Sequence, residues 1–216
     1  QTDTSKVTGN TYLPIFINEA ASKVYGDNLL SEEKEVLQGN KNSGFENNQT
    51  LIAFVKDLYS EYDVYDNYLK FFDKAFTSPR RKNELTFKGD FWVNDTTWAI
   101  KEINLQASKS ANLNWVRDVY IEQEFDVLND SIFLITRDYF MSDFSFRKKE
   151  EAKGIYGKRT TLYDNYVFNI PKDKKFYAEE VDPYNYEVYN RPDEFWDENR
   201  MEKLSKDEKG VYKMLD

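Results

Sequence analysis

Residues 84–106, ELTFKGDFWVNDTTWAIKEINLQ, decide the fold. Leu85, Phe87, Phe91 and Val93 share one parity, which gives a strand one apolar face. Asn94-Asp95-Thr96 then interrupts the run with turn chemistry, since Asn and Asp tolerate left-handed backbone and bond their own main chain. Trp98 and Ile100 resume the alternation, and Ile103 and Leu105 continue it on the opposite parity. A slip of one residue inside a strand predicts a β-bulge near Lys101-Glu102. The stretch is a β-hairpin.

Downstream, the pattern predicts more strands. Val119, Ile121 and Phe125 alternate within a strand over 117–127, and Asn129-Asp130-Ser131 is the next tight turn. Residues 132–141 are apolar on both parities, as in a central strand covered on both faces, and Phe144 and Phe146 extend it or begin another. Residues 148–158, rich in Lys and Gly, read as an exposed loop. Leu162, Tyr166 and Phe168 mark a last strand closed by Pro171. The Tyr- and acid-rich stretch over 172–192 reads as an extended surface segment. Pro192 fits the first turn of a short helix, and Ser205-Lys206-Asp207-Glu208 is a capping box for a final one carrying Val211, Tyr212 and Leu215.

Upstream, the pattern predicts helices. Pro14 limits the apolar run over 12–17 to an edge strand or extended lead-in. Ser31 followed by Glu32 and Glu33 predicts a helix ending before Gly39. Thr50 caps an amphipathic helix with Leu51, Phe54, Val55 and Leu58 on one face. A second helical, aromatic segment runs over 62–76, its rings read as packing against a sheet.

Composition narrows the chemistry. The 216 residues are 40% hydrophobic and 17% aromatic, enough for one substantial core or two small ones in which rings carry much of the buried area. A net charge of −9 opposes binding to nucleic acid or an anionic surface, both of which need a basic face. With no Cys and no His, disulfides, thiolate nucleophiles, His triads and His-zinc cages are all excluded. No apolar run approaches the roughly 20 residues of a membrane-spanning helix. Neither a phosphate-binding glycine loop nor a GxSxG elbow occurs.

Carboxylates remain as candidates for acid–base work. The close pairs are Asp63 with Asp66, Asp90 with Asp95, and Asp126 with Asp130. A glycosidase needs two acids facing across a cleft, but among 39 acids close pairs arise by chance. Turns also recruit Asp for backbone reasons. Calcium at an Asp-rich turn lacks EF-hand spacing. Trp92, Trp98, Trp115 and Trp196 offer faces for sugar stacking, or for burial beneath covering segments. Asn48, Asn94 and Asn129 begin N-glycosylation patterns that matter only in a glycosylating host.

Five runs carry a resemblance: TSKVTGNTYLPIFINEAASKVY (4–25), YDNYLKFFDKAFTSP (65–79), PRRKNELTFKGDFWVNDTTWAIKEINLQASKSANLNWVRDVYIEQEF (79–125), GKRTTLYDNYVFNIP (157–171) and PDEFWDENRMEKLSKDEKGVYKMLD (192–216). Together they resemble a Bacteroidota outer-membrane protein family of unknown function that bears a carboxypeptidase-regulatory-like domain. RRKNELTFKGDFWV is the most specific part. The resemblance implies a periplasmic middle region, between an N-terminal regulatory-like β-sandwich and a C-terminal β-barrel in the outer membrane. Neither flanking region occurs in this chain, so a fragment of a larger protein is expected. It implies no peptidase activity and supplies no catalytic residue. Relatives carry a further Tyr-rich stretch where Pro79 here meets Arg80, so either a segment is missing at that junction or this member has a deletion there. The strand-turn-strand series is also similar to the half-barrel of periplasmic lipoprotein carriers. Asp95-Thr96-Thr97 and Asp130-Ser131-Ile132 resemble the O-glycosylation acceptor motif of this phylum, which makes Thr96 and Ser131 candidate modification sites.

The expected architecture is α+β: a curved antiparallel half-barrel of roughly five to seven strands against N-terminal helices. As one periplasmic-type domain over 1–216, it comprises a helical part (1–79), a sheet (80–171), and an extended segment with terminal helices (172–216). The leading function is non-catalytic, binding or organising envelope proteins or lipoproteins, with no cofactor, no metal and no nucleic acid. Membrane association would run through the absent barrel. Tyr184, Tyr186 and Tyr189 are the candidate partner contacts, because Tyr is enriched at interfaces. One alternative is acyl-chain binding in a cavity lined by Phe87, Phe91, Trp98 and Ile121. The other is glycan binding or hydrolysis by a carboxylate pair.

Overall fold

A computed structural model describes residues 3–5, 7–26, 33–44, 58–59, 62–64, 69–71, 74–76, 86–108, 116–128, 131–145, 154–182 and 185–215. The chain forms two compact units, one of Asn48–Asn165 and the other of Gln1–Asn47 with Tyr166–Asp216. The composition-based division at 79 and 171 differs from this, because Gln1–Asn47 folds with the chain's end.

The 48–165 unit is built on a five-stranded antiparallel sheet in the order β11-β10-β9-β8-β7. Its strands are β7 (Phe87–Val93), β8 (Ile100–Ala107), β9 (Val116–Leu128), β10 (Ile132–Ser145) and β11 (Gly154–Leu162). Each strand pairs with the next in sequence, so the whole sheet is a meander. In β7/β8 the register runs from Phe87 opposite Ala107 to Trp92 opposite Glu102, then skips to Val93 opposite Ile100. Lys101 is therefore the extra residue of a bulge, where the parity slip had placed one.

The inner face is read off the registers. Phe87, Gly89 and Phe91 of β7 lie opposite Ala107, Leu105 and Ile103 of β8. Leu105 and Ile103 in turn lie opposite Ile121 and Gln123 of β9. Val119, Ile121 and Phe140 are buried there, joined by Leu58, Leu69 and Ala107 in one apolar cluster, with Tyr62, Phe87, Leu105 and Val116 packed against it. Burying Ile121 and Phe140 supplies about 2 kcal/mol per side chain.

Three expectations are corrected here, and a fourth lies mostly outside the described residues. The segment 62–76 contains a short hairpin, β5 (Leu69–Phe71) with β6 (Lys74–Phe76), where a helix had been read. Its Tyr and Phe residues have β propensity as well as helical spacing, and pairing settles the ambiguity. Of the helix expected from Thr50, only Leu58 and Tyr59 are described; Leu58 is helical and buried. Residues 154–158 begin β11 instead of lying in a loop, because β10 pairs Ser145 with Gly154 through to Arg137 with Leu162. Finally, no strand spans Tyr166 and Phe168, since regular pairing ends at Leu162. The sheet is open, and β10 stands second from its edge.

The other unit carries the largest correction. Glu33–Gly44, which takes in the described part of the helix expected from Ser31, is strand β4, and it pairs with β3 (Phe16–Gly26). Glu35, Leu37 and Gly39 alternate with Val36 and Gln38, and eleven backbone pairings outweigh the acid-capped helical start. Short strands β1 (Asp3–Thr4) and β2 (Thr11–Tyr12) precede it. Helices α1 (Lys174–Ala178), α2 (Tyr186–Tyr189), α3 (Asp193–Asn199) and α4 (Lys206–Leu215) follow the sheet in sequence. Ser205 and Glu208 cap α4 reciprocally: the Glu208 amide donates to Ser205 Oγ at 3.1 Å, and the Ser205 amide to Glu208 Oε2 at 2.8 Å. Lys34 Nζ donates to the carbonyls of Phe176 and Glu179, while Arg191 Nε donates to that of Gln38, fastening the helical end to β4.

Candidate functional site

Three places in the molecule have the chemistry of a site. The first lies on the inner face of the five-stranded sheet. Asp138 on β10 sits opposite Gln123 on β9, and both point inward between Phe140 and Ile121. The Asp138 carboxylate is saturated: Oδ1 accepts from Tyr62 Oη at 2.5 Å and from Gln123 Nε2 at 2.8 Å, and Oδ2 accepts from Arg159 Nη2 at 2.6 Å. Burial pushes the Tyr62 phenol well above its ordinary range, and the Asp138 charge beside it pushes the same way. Tyr62 therefore remains a donor throughout the physiological range and cannot act as a base. Asp138 is only 2% exposed, which removes its oxygens from any substrate. The cluster ties β9, β10, β11 and the Tyr62 segment together.

The second place is the outer face of the same sheet. Arg137 Nη1 donates to Glu122 Oε1 at 2.6 Å and to Glu124 Oε1 at 3.4 Å. Tyr120 Oη donates to Glu122 Oε2 at 3.1 Å and lies near Asn104 Oδ1 at 3.4 Å. Partial burial, reinforced by Glu122, pushes the Tyr120 phenol up to about 12. These groups satisfy one another across a half-exposed sheet face.

The third place is the tip of the β7/β8 hairpin. Asn94 closes it: the Asn94 amide donates to the Ala99 carbonyl at 2.9 Å, and its own carbonyl accepts from the Trp98 amide at 3.0 Å. Its side-chain Oδ1 accepts from the amides of Thr96 and Thr97 at 2.9 and 3.0 Å. These bonds fix Trp98 at φ 60°, a left-handed conformation that suits glycine and costs a bulky residue about 1 kcal/mol. The indole is 76% exposed, and Trp92 just before the turn is 49% exposed. A rigid loop thus presents a large apolar ring to solvent and carries backbone strain in doing so.

The residues singled out from the sequence fall as follows. Ile121 is fully buried and Phe87 packs on the core, whereas Phe91 and Trp98 are 64% and 76% exposed. The first three share the inner face; Trp98 lies in the turn. Tyr186 and Tyr189 are exposed on α2, and Tyr184 lies outside the described residues. Thr96 and Ser131 are both exposed, Thr96 with its hydroxyl donating to Asp95 Oδ1 at 3.2 Å. Asp63, Asp90, Asp95 and Asp126 are exposed, and Asp66 and Asp130 lie outside the described residues. Trp196 is buried, and Trp115 is not described. Among the described residues, no group of three or more acidic side chains is placed to hold a metal ion. No motif joins Asp138 to its partners in the sequence, and the visible signal is the charged pair Arg137-Asp138 inside an apolar strand.

By its fold, this is a β-rich protein built on an open antiparallel meander, stapled on its inner face by a buried carboxylate. The profile of a family of unknown function, DUF5686, matches residues 64–166, a span containing the whole five-stranded sheet and three of the four members of the Asp138 cluster, Asp138, Gln123 and Arg159. No curated protein matches the chain. No solved structure matches it either.

Proposed function

We propose that this chain is a non-catalytic binding domain of the cell envelope, at the periplasmic face of the outer membrane, and that it holds an envelope protein through the β7/β8 hairpin tip. One observation carries the reading: Trp98 is exposed on a loop fixed by Asn94, in a backbone conformation that glycine would adopt without strain. Trp is a favoured anchor at protein interfaces, where its large rigid surface is buried at small entropic cost. The acidic balance of −9 directs the reading to a protein partner instead of a nucleic acid. The resemblance to the Bacteroidota outer-membrane family supplies the compartment. The saturated Asp138 cluster serves as framework, leaving the chemistry of contact to the tip.

A photo-crosslinking amino acid at position 98, with the same group at exposed position 202 as control, tests this in the source cell. A discrete adduct with an envelope protein from position 98 alone supports the reading. No adduct, or the same adducts from both positions, overturns it.

A further inference from the structure

Among the described residues, β7 forms one edge of the five-stranded sheet. Gly89, in its middle, is exposed, and since glycine has no side chain this exposure is of backbone. The direction of that backbone follows from the ladder. The Ser108 amide donates to the Thr86 carbonyl at 2.8 Å, which makes residues 86 and 108 a hydrogen-bonded pair. In an antiparallel ladder such residues alternate, so Thr86, Lys88 and Asp90 direct their backbone groups to β8. Gly89 and Phe91 direct theirs away from the sheet. Native edges of this kind are normally blunted by a bulge, a proline or a covering segment. The middle of β7 has neither of the first two, and among the described residues no strand pairs with its outward side.

We propose that the edge of β7 pairs antiparallel with β7 of a second copy, across a two-fold axis at Gly89. In this register Gly89 meets Gly89 of the other copy, where each outward N–H finds the opposite carbonyl. Lys88 lies opposite Asp90 and Asp90 opposite Lys88 on the outer face. Phe91 lies opposite Phe87 on the inner face. Lys88 and Asp90 are both exposed, and among the described residues neither belongs to an ion pair. Phe91 is 64% exposed on the face where Phe87 packs against the core, so pairing extends that core across the dyad. Cross-strand pairs of opposite charge and of two rings both favour the ladder. A two-fold axis requires this self-complementarity.

Neighbouring registers lose both Lys88–Asp90 pairs. Centring on Asp90 sets that carboxylate against itself, and centring on Phe91 sets Asp90 against Trp92. Substituting Gly89 is no test, because a Cβ there would meet the Asn104 carbonyl oxygen at 1.7 Å. The contact is short, so the dimer is weak, with a Kd on the order of 10–100 µM.

The chain has no cysteine, which makes cross-linking clean. Lys88→Cys chains mixed with Asp90→Cys chains under mild oxidation give a disulfide-linked dimer, since opposed residues in a pair without mutual hydrogen bonds stand about 4.5 Å apart at Cα, within disulfide reach. Neither variant cross-links efficiently alone. Efficient linkage of Asp90→Cys chains to each other, or no preference for the mixture, overturns the register. In sedimentation equilibrium, Lys88→Asp weakens dimerisation about tenfold, because both symmetry-related pairs are lost. Adding Asp90→Lys to that chain restores it. A wild-type monomer up to several hundred micromolar, or a dimer indifferent to these charges, overturns the proposal.

Discussion

Two clusters in this protein use the same three chemical groups in different surroundings. In the sheet unit, Asp138 accepts from Tyr62 and Arg159. In the other unit, Glu19 on β3 accepts from Arg200 Nε at 2.5 Å, from Arg200 Nη2 at 3.0 Å and from Tyr212 Oη at 3.2 Å. Each joins segments distant in sequence. They differ in water. The Asp138 side chain is 3% exposed and that of Glu19 is 18% exposed. A buried carboxylate must be paired, because an unpaired charge there costs several kcal/mol. At Glu19 water can replace part of any lost contact. The hydrogen bond to Glu19 raises the affinity of Arg200 for its proton, so Arg200 stays a cation throughout the physiological range.

The largest expected effect is therefore at Asp138. Asp138→Asn keeps the shape, but leaves the Arg159 charge without a counter-ion and Tyr62 with a weaker acceptor. It should lower the stability of the sheet unit by about 3 kcal/mol in urea unfolding. A loss as small as that at Glu19 would break the contrast. Glu19→Gln should cost about 1–2 kcal/mol. Part of that loss should vanish in high salt, which screens exposed pairs and spares buried ones.

The phenols sharpen the comparison through pH. The folded state holds the Tyr62 proton more tightly than the unfolded chain does, because burial and the Asp138 charge both disfavour the phenolate. Its contribution is whole below the ordinary phenol value of about 10 and is lost as pH rises beyond it. Tyr62→Phe should flatten this alkaline decline, measured as Tm between pH 8 and 11. Tyr120→Phe should flatten it too, and the two variants part only above about pH 11, since the Tyr120 value is raised only to about 12. The smallest effect is at the hairpin tip. Trp98→Gly relieves the φ 60° strain and should leave stability unchanged or raise it by up to about 1 kcal/mol.

The two units also differ in how far the sequence reveals them. The β7/β8 hairpin is legible down to its bulge, since a period of two with one slip has a single structural meaning. The β3/β4 hairpin is not. Ser31-Glu32-Glu33 imitates a helix cap, and the strand residues after it are mostly polar, so no apolar face announces a sheet. β11 was hidden by Gly154, Gly157 and nearby lysines, a loop composition that β10 overrides by pairing. Little of the candidate site was legible: the sequence reading puts Trp98 in a cavity lining, whereas its exposure and left-handed backbone depend on a turn closed by Asn94 that no spacing predicts. The Asp138 cluster needs four residues spread from 62 to 159, and only the fold brings them together.

The central claim separates a framework, held by Asp138, from a contact element, carried by Trp98. The most direct test mixes the purified chain with solubilised envelope from its source, re-isolates it and weighs the complexes by native mass spectrometry. Wild type should carry a protein whose added mass is not a multiple of 25.7 kDa, while folded Trp98→Gly should be recovered without it. A Trp98→Gly chain that retains the same partner, or a wild-type chain that carries none, would contradict the account.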